Sequence, residues 1–179
     1  MRGGLTQRTI AGNNVILEAQ VADHAEEMFV VLVDPAIYEY ENEPPSSVEW
    51  LRDRFTRLES RQSADGMQLW LNWVVRLRTS GLIGYVQATV FPTGRAAIAY
   101  VLSSKYWGRG LAGEACQAMI AELAERYGVR TVHAVFKRRN VRSARLLERL
   151  GFAPALPEWS GVELEPDELL MVRHLNAPE

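Results

Sequence analysis

Trp107-Gly108-Arg109-Gly110-Leu111-Ala112-Gly113 is the stretch on which the reading of this chain turns, because it joins a strand to a helix through a glycine-rich loop. Gly110 has no Cβ, so an anionic group can approach its backbone closely. The helical turn that follows leaves its N–H groups unpaired, and the helix dipole favours negative charge at that end. Both effects suit a pyrophosphate, and Arg109 can add charge from the side. Downstream, Ala112, Cys116, Met119, Ile120, Leu123 and Tyr127 form an apolar stripe at helical spacing. Glu114, Gln117, Glu122, Glu125 and Arg126 oppose it, and Gly128 ends the helix.

The hexapeptide Gly108–Gly113 also matches G-x-G-x-x-G, the dinucleotide fingerprint. A dinucleotide-binding unit would run its strand almost directly into the first glycine and continue with further βα units. Here Ser103-Ser104-Lys105-Tyr106-Trp107 intervenes, and only about a third of the chain follows the loop. The next strand ends in Lys137-Arg138-Arg139 where a ribose diol would call for an acid, although a basic end suits a phosphorylated ribose. On these residues alone an NADP site and a glycine turn without a ligand stay open beside the pyrophosphate loop.

Working outward, Leu69–Leu77, Leu82–Val90 and Ala96–Leu102 read as three successive strands. Thr79-Ser80-Gly81 and Pro92-Thr93-Gly94 join them with turn chemistry, which predicts an antiparallel meander. Further upstream, Val15–Ala19 reads as a short strand. Val21–Val33 carries Ala25, Met28, Phe29 and Leu32 near helical spacing, with Pro35 as its stop. Tyr38–Pro45 is an acidic, aromatic loop. Ser46 or Ser47 caps a second helix running to about Arg61, with Trp50, Phe55 and Leu58 on one face. After the loop helix, Thr131–Phe136 is a buried strand. Asn140 then opens a short helix that Gly151 closes, with Phe152 packing back on its last turn, and Glu168–Leu175 is the last strand. The order is strand, two helices, three strands, helix, strand, helix, strand. That is a mixed α/β chain without regular βα alternation.

Composition narrows the function. A chain of 179 residues suits one domain, residues 1–179, around a single core. No run of eighteen apolar residues occurs and the first residues lack a secretory apolar stretch, so no membrane partner and a cytoplasmic location are expected. Cys116 is the only cysteine and sits in the apolar stripe, which reads as an inert buried thiol. His24, His133 and His174 lack metal-ligand spacing, so no metal is expected. A net charge of −2 carries no polyanion signature, and no nucleic acid is expected as partner.

Taken together, strand, W-G-R-G-L-A, long helix, strand, N-x-x-S, short helix and L-G-F resemble the GNAT N-acetyltransferase superfamily. The likeness is greatest to the branch of ribosomal-protein-alanine acetyltransferases and related small-molecule enzymes, and is strongest from about Ala96 to Phe152. It implies the acyl-CoA N-acyltransferase fold, a mostly antiparallel sheet splayed between its fourth and fifth strands and flanked by helices. It implies acetyl-CoA as co-substrate, with no metal, and transfer of acetyl to a primary amine on a small molecule or a protein N-terminus. Exposed apolar strands in this fold often support dimers, so a homodimer is a possible partner state, though no residue here requires one.

The resemblance also assigns residues. In that family a Q/R-x-x-G-x-G/A loop holds the CoA pyrophosphate. Trp107 stands at the Q/R position, Gly110 at the first glycine and Ala112 at the last position, so Gly108, Arg109, Gly110, Leu111, Ala112 and Gly113 supply the backbone. Tryptophan departs from the general pattern but is similar to this branch; it removes a polar side chain while leaving the amides. The strand ending Tyr100-Val101-Leu102-Ser103 corresponds to the bulged strand that pairs with pantetheine and points an N–H at the thioester oxygen. Asn140 matches the asparagine that contacts the pantetheine arm. Ser143 matches a proposed acid for the departing thiolate; capping and cofactor contact are its other readings. One of Lys137, Arg138 and Arg139 would pair with the CoA 3′-phosphate, unless the turn is simply solvated.

An alkyl ammonium must lose a proton before it attacks. Glu158, Glu163, Glu165, Asp167 and Glu168 are candidate bases, and Glu158 and Glu163 lie nearest to where relatives carry one. The acidic loop follows the first helix, where the superfamily builds its acceptor site. Glu39, Glu41 and Glu43 there can attract a cationic amine, with Tyr38, Tyr40 or Trp50 as an apolar wall, or they form a solvated loop. A catalytically silent acyl-CoA-binding module is the competing function.

Overall fold

The computed structural model describes residues 6–40, 42–156, 159 and 161–175. In chain order the elements are strands β1 (Ile10–Ala11) and β2 (Val15–Ala19), helices α1 (Ala25–Leu32) and α2 (Val48–Leu58), and strands β3 (Leu69–Leu77), β4 (Leu82–Val90) and β5 (Arg95–Leu102). Helix α3 (Leu111–Tyr127), strand β6 (Thr131–Lys137), helix α4 (Val141–Arg149) and strands β7 (Ala153–Pro154) and β8 (Glu168–His174) follow. The sheet order is β1-β2-β3-β4-β5-β6-β8-β7. Every neighbouring pair is antiparallel except β5–β6. This is the splayed, mixed α/β acyltransferase fold that the resemblance implies.

Alternation along the strands gives the sheet two apolar faces. Trp73, Val75, Val86, Ile98 and Val132 pack with Cys116, Met119, Ile120 and Leu123 of α3 in the larger core. Val74 and Leu82 point the other way and pack with Met28 and Leu32 of α1 and Leu51 and Phe55 of α2. Each such large side chain stabilises the fold by roughly 1.5–3 kcal/mol through burial. Cys116 is fully buried, and that burial pushes its thiol pKa far up, as an inert thiol requires.

Carboxylates tie the helices to the sheet. Glu114, in the first turn of α3, accepts the Asn14 backbone N–H at 2.7 Å and its side-chain amide at 2.9 Å. Glu27 of α1 accepts the Leu82 N–H at 2.6 Å and the Arg76 guanidinium at 3.1 Å. Glu122 departs from the sequence pattern, which put it on the polar face of α3. It is buried and pairs with Arg8 at 2.6 Å, because the segment before β1 folds over that side of the helix.

Local boundaries differ in informative ways. The helix expected over Val21–Val33 divides into a 3-10 turn, Ala22–His24, followed by α1. Asp34 then caps a further 3-10 turn, Pro35–Tyr38, accepting the Ala36 N–H at 3.1 Å. Ser47, not Ser46, caps α2 through the Trp50 N–H at 3.0 Å, and that helix ends at Leu58. Strands β1 and β7 were not expected; two residues each are too few for a periodic signal.

Between β5 and β6 the sheet parts. The two strands pair only over Arg95–Ala97 with Thr131–His133. Beyond that point β5 stays with β4 as far as Gly84↔Leu102, while β6 stays with β8. The bulge implied near the end of β5 is not present in its pairing with β4. The irregularity lies instead between Val75 and Arg76, in the β3–β4 pairing. Gly84 allows β5 to come this close: a Cβ there would lie 2.0 Å from the Val101 carbonyl oxygen and 2.8 Å from the Leu102 Cα. Backbone cannot rotate away as a side chain can. Gly84→Ala should therefore lower stability by about 1–3 kcal/mol in urea unfolding, and an unchanged midpoint would show that the strands separate without cost.

Candidate active site

The opening between β5 and β6 is a cleft of about 520 Å³. Ile98, Tyr100 and Leu102 from β5 face Ala134 and Phe136 from β6 across it. Gly108, Gly110, Ala112 and Gly113 line it at the start of α3, and Asn140, Arg142, Ser143 and Leu146 line it from α4. Ala36, Ile37 and Tyr40 add a wall from the segment after α1.

The glycine loop is built to leave its amides open. Gly108 and Gly110 take φ of +74° and +76°, and a Cβ on either would meet nothing within 4 Å. Gly110 is the N-cap of α3, no side chain caps this end, and Glu114 N–H to Gly110 carbonyl, at 3.0 Å, begins the helical ladder. The amides of Leu111, Ala112 and Gly113 precede that bond and carry the positive end of the helix dipole. Such a cradle fits a pyrophosphate. The Leu111 side chain is itself buried in the core, and Arg109 lies 5.4 Å over the Tyr106 ring, outside the cleft lining. Trp107 is fixed by its indole N–H, which donates to the Leu102 carbonyl at 2.9 Å.

Of the three residues singled out at the end of β5 and just after it, Val101 and Leu102 line the cleft. Ser103 belongs to the sheet: it is buried and its N–H donates to the Ile83 carbonyl at 2.9 Å. Asn140 caps α4 by accepting the Ser143 N–H at 3.0 Å. Its side-chain NH2 takes no partner among the described residues, and the residue lines the cleft. The Ser143 Oγ lies 2.5 Å from the Tyr100 hydroxyl. Burial, the leading cause, holds the Tyr100 pKa well above its ordinary value, so the ring keeps its proton at neutral pH. Tyr100 can thus donate to Ser143 while Ser143 donates into the cleft.

The basic turn is mostly engaged elsewhere. Lys137 pairs with Glu165, with Asp167 at 3.1 Å and with Glu168 at 3.3 Å, which raises its pKa and occupies three of the candidate bases. The Arg138 N–H donates to the Asp167 carbonyl at 2.7 Å, and its side chain is not part of the cleft lining. Arg139 sits 5.7 Å over the Tyr40 ring. Glu163 is exposed on the connection before β8 and is not among the residues that line the cleft. Glu41 and Glu158 lie outside the described residues.

On the acceptor side Tyr40 lines the cleft, whereas Tyr38 and Trp50 do not. The Tyr38 hydroxyl donates to the Leu32 carbonyl at 2.7 Å, and burial pushes its pKa up to about 12. Trp50 is 45% exposed and has Arg54 5.8 Å above its ring. Sequence reasoning missed three residues: the Tyr100 side chain, Arg142 and Asp34. The two-residue alternation through Ala96 and Ile98 already places Tyr100 on the helix-facing side of β5. No sequence signal pairs Asp34 with the end of β5, where it accepts the Ser104 N–H at 2.8 Å and the Ser103 hydroxyl at 3.4 Å.

Comparison with known proteins agrees with this geometry. The acetyltransferase (GNAT) domain family matches residues 14–153, and the chain belongs to that family. It is accordingly an acetyl-CoA-dependent N-acyltransferase. A search of curated proteins finds no matching relative. Among solved structures, RimL, a ribosomal-protein alpha-N-acetyltransferase in complex with coenzyme A, superposes with a TM-score of 0.78 at 17% identity, covering 95% of this chain and 99% of its own. A ribosomal-protein alanine acetyltransferase from Vibrio fischeri gives 0.75 at 18% identity, over 93% and 96% of the two chains. A chimera built from the Vibrio cholerae spermidine N-acetyltransferase gives 0.72 at 16% identity, over 90% and 96%.

Asp34 links the wall at Ala36–Tyr40 to the end of β5. Hydrogen bonds, led by Ser104, lower its carboxyl pKa in the fold. Its contribution is therefore complete above the unfolded carboxylate value, near 4, and is lost as pH falls through the lower folded value. Asp34→Ala should cost about 1 kcal/mol at pH 7. The gap between wild type and variant should then narrow below about pH 4 in urea titrations; a gap that stays constant down to pH 2 would contradict a charge-dependent tether.

Proposed function

We propose that this protein transfers an acetyl group from acetyl-CoA to a primary amine, on a small molecule or a protein N-terminus, by direct attack inside the β5–β6 cleft. The observation that carries this reading is that the Tyr100–Ser143 pair opens onto the same cleft as the uncapped N-terminus of α3. The cleft thus holds both a cradle that suits a diphosphate and a proton donor, the two features a CoA thioester donor calls for. The names of the similar structures, alpha-N-acetylation of ribosomal protein and N-acetylation of spermidine, support an amine as acceptor.

In this mechanism the amides of Gly108–Gly113 hold the pyrophosphate, and the Asn140 NH2 steadies the pantetheine arm. The β5 edge, free of β6 after Ala97, offers backbone N–H groups toward the arm and the thioester oxygen. As the acceptor nitrogen bonds to the carbonyl carbon and the carbon–sulfur bond breaks, Ser143 gives its proton to the sulfur. Tyr100 restores it across their 2.5 Å contact and is reprotonated from solvent. A free thiol has a pKa of about 8.5, so this acid assists a leaving group that is already fair.

No carboxylate or histidine among the described residues lines the cleft. Water, or Glu158 beyond the described residues, takes the acceptor proton, and the rate should rise with pH through the acceptor's own pKa, near 8 for an α-amine and above 10 for an alkyl amine.

Release of free thiol from acetyl-CoA with a panel of peptide and small-molecule amines tests the proposal. Ser143→Ala should lower kcat by roughly tenfold to a hundredfold, with the KM for acetyl-CoA little changed, and Tyr100→Phe should give a smaller loss of the same kind. Coenzyme A binding without turnover for any amine would contradict the enzyme and favour a binding module.

A further inference from the structure

Resting on the acyl-CoA reading of the cleft, the geometry points to Arg142 as the side-chain cation that grips the pyrophosphate, with Trp107 as the platform that holds it in place. The guanidinium carbon of Arg142 sits 3.7 Å from the centroid of the Trp107 ring. Trp107 cannot swing away, because its indole N–H is bonded to the Leu102 carbonyl at 2.9 Å. Both side chains line the cleft together with Gly108, Gly110 and Gly113, so the stacked cation shares that space with the uncapped amides of α3.

Local stability does not explain Arg142. It occupies the first turn of α4, two residues after the Asn140 cap, where the helix dipole repels a cation and favours an acid. It takes no carboxylate partner among the described residues. A cation placed against its helix dipole and held on an aromatic face is poised for an anion that comes from outside the protein. Guanidinium is planar and weakly hydrated, and it matches the oxygens of a phosphate with two parallel donors.

Arg149 also lines the cleft, from the last residue of α4, two turns beyond Arg142, and the other neighbouring cations are differently placed. Arg109 lies over Tyr106 outside the cleft lining, and Lys137 is engaged by three carboxylates. By the resemblance, tryptophan at position 107 replaces the glutamine or arginine of the general loop pattern, as it does in the branch this chain is most like. The stack supplies the lost polar group from α4 instead of from the loop, so Arg142 is a binding residue and Trp107 a positioning residue.

Titration calorimetry on the full chain with CoA, dephospho-CoA and pantetheine tests this without needing to know the acceptor. Arg142→Ala should weaken CoA and dephospho-CoA alike, by about tenfold to thirtyfold, and pantetheine by less than about twofold. Arg142→Lys should recover only part of the loss, since the ammonium keeps the charge but not the planar stack. Trp107→Leu should weaken CoA comparably, and should add little in the Arg142→Ala background; thermal melts report whether that variant is folded.

A loss that disappears with dephospho-CoA would move Arg142 to the 3′-phosphate and overturn the inference. An equal loss for pantetheine would reduce the residue to a structural role, and an unchanged affinity would remove it from the site. Wild-type protein that fails to bind CoA would refute the acyl-CoA reading itself, an outcome distinct from these.

Discussion

β5 cannot follow both of its neighbours, and the site depends on that conflict. It is paired with β4 over its whole length to Leu102, while β6 is paired with β8 from Thr131 to Lys137. Only three residues of β5 and β6 meet before the strands part. A strand edge released in this way leaves backbone groups that must find other partners. On the proposed function those partners are the occupants of the cleft, which the loop and the helices around the gap line. The close approach at Gly84 keeps the end of β5 on β4, and so keeps the gap open.

Several locally unfavourable choices collect around this one opening. Two glycines sit in the left-handed region, the N-terminus of α3 has no side-chain cap, and Arg142 opposes the dipole of α4. A half-buried tyrosine is joined to a serine in the first turn of that helix. Ordinary local chemistry stands beside them: Ser47 caps α2, Glu114 sits in the first turn of α3 and Glu27 satisfies the start of β4. Local rules broken at a cleft are expected where binding sets the residues and folding tolerates them. The tethers matter because they fix geometry: Glu114 anchors the first turn of α3 and Asp34 anchors the acceptor-side wall.

Much of the architecture was legible because its signals are local. The limits of β2, β3 and β4 follow from alternation bounded by turn residues, and the parting of the sheet came from the resemblance. The glycine loop, the Asn140 cap and the position of Ser143 are short-range patterns as well. What escaped depends on contacts between distant segments. Glu122 looked solvated until Arg8, from far earlier in the chain, folded across it. Tyr100 meets Ser143 over 43 positions, and Asp34 meets Ser104 over 70. The carboxylates after β7 could be counted as bases but not placed; three of them belong to Lys137 and Glu163 faces solvent. Charge and spacing suggest what a residue could do, while packing decides what it touches.

Amide hydrogen exchange with and without coenzyme A tests the central claim most directly. If the diphosphate rests on the start of α3 and the arm lies along the freed edge of β5, saturating ligand should slow exchange across residues 108–113 and 98–102. The paired strands β2 and β3 should change little. Protection confined to another surface, with these two segments exchanging as before, would contradict the account.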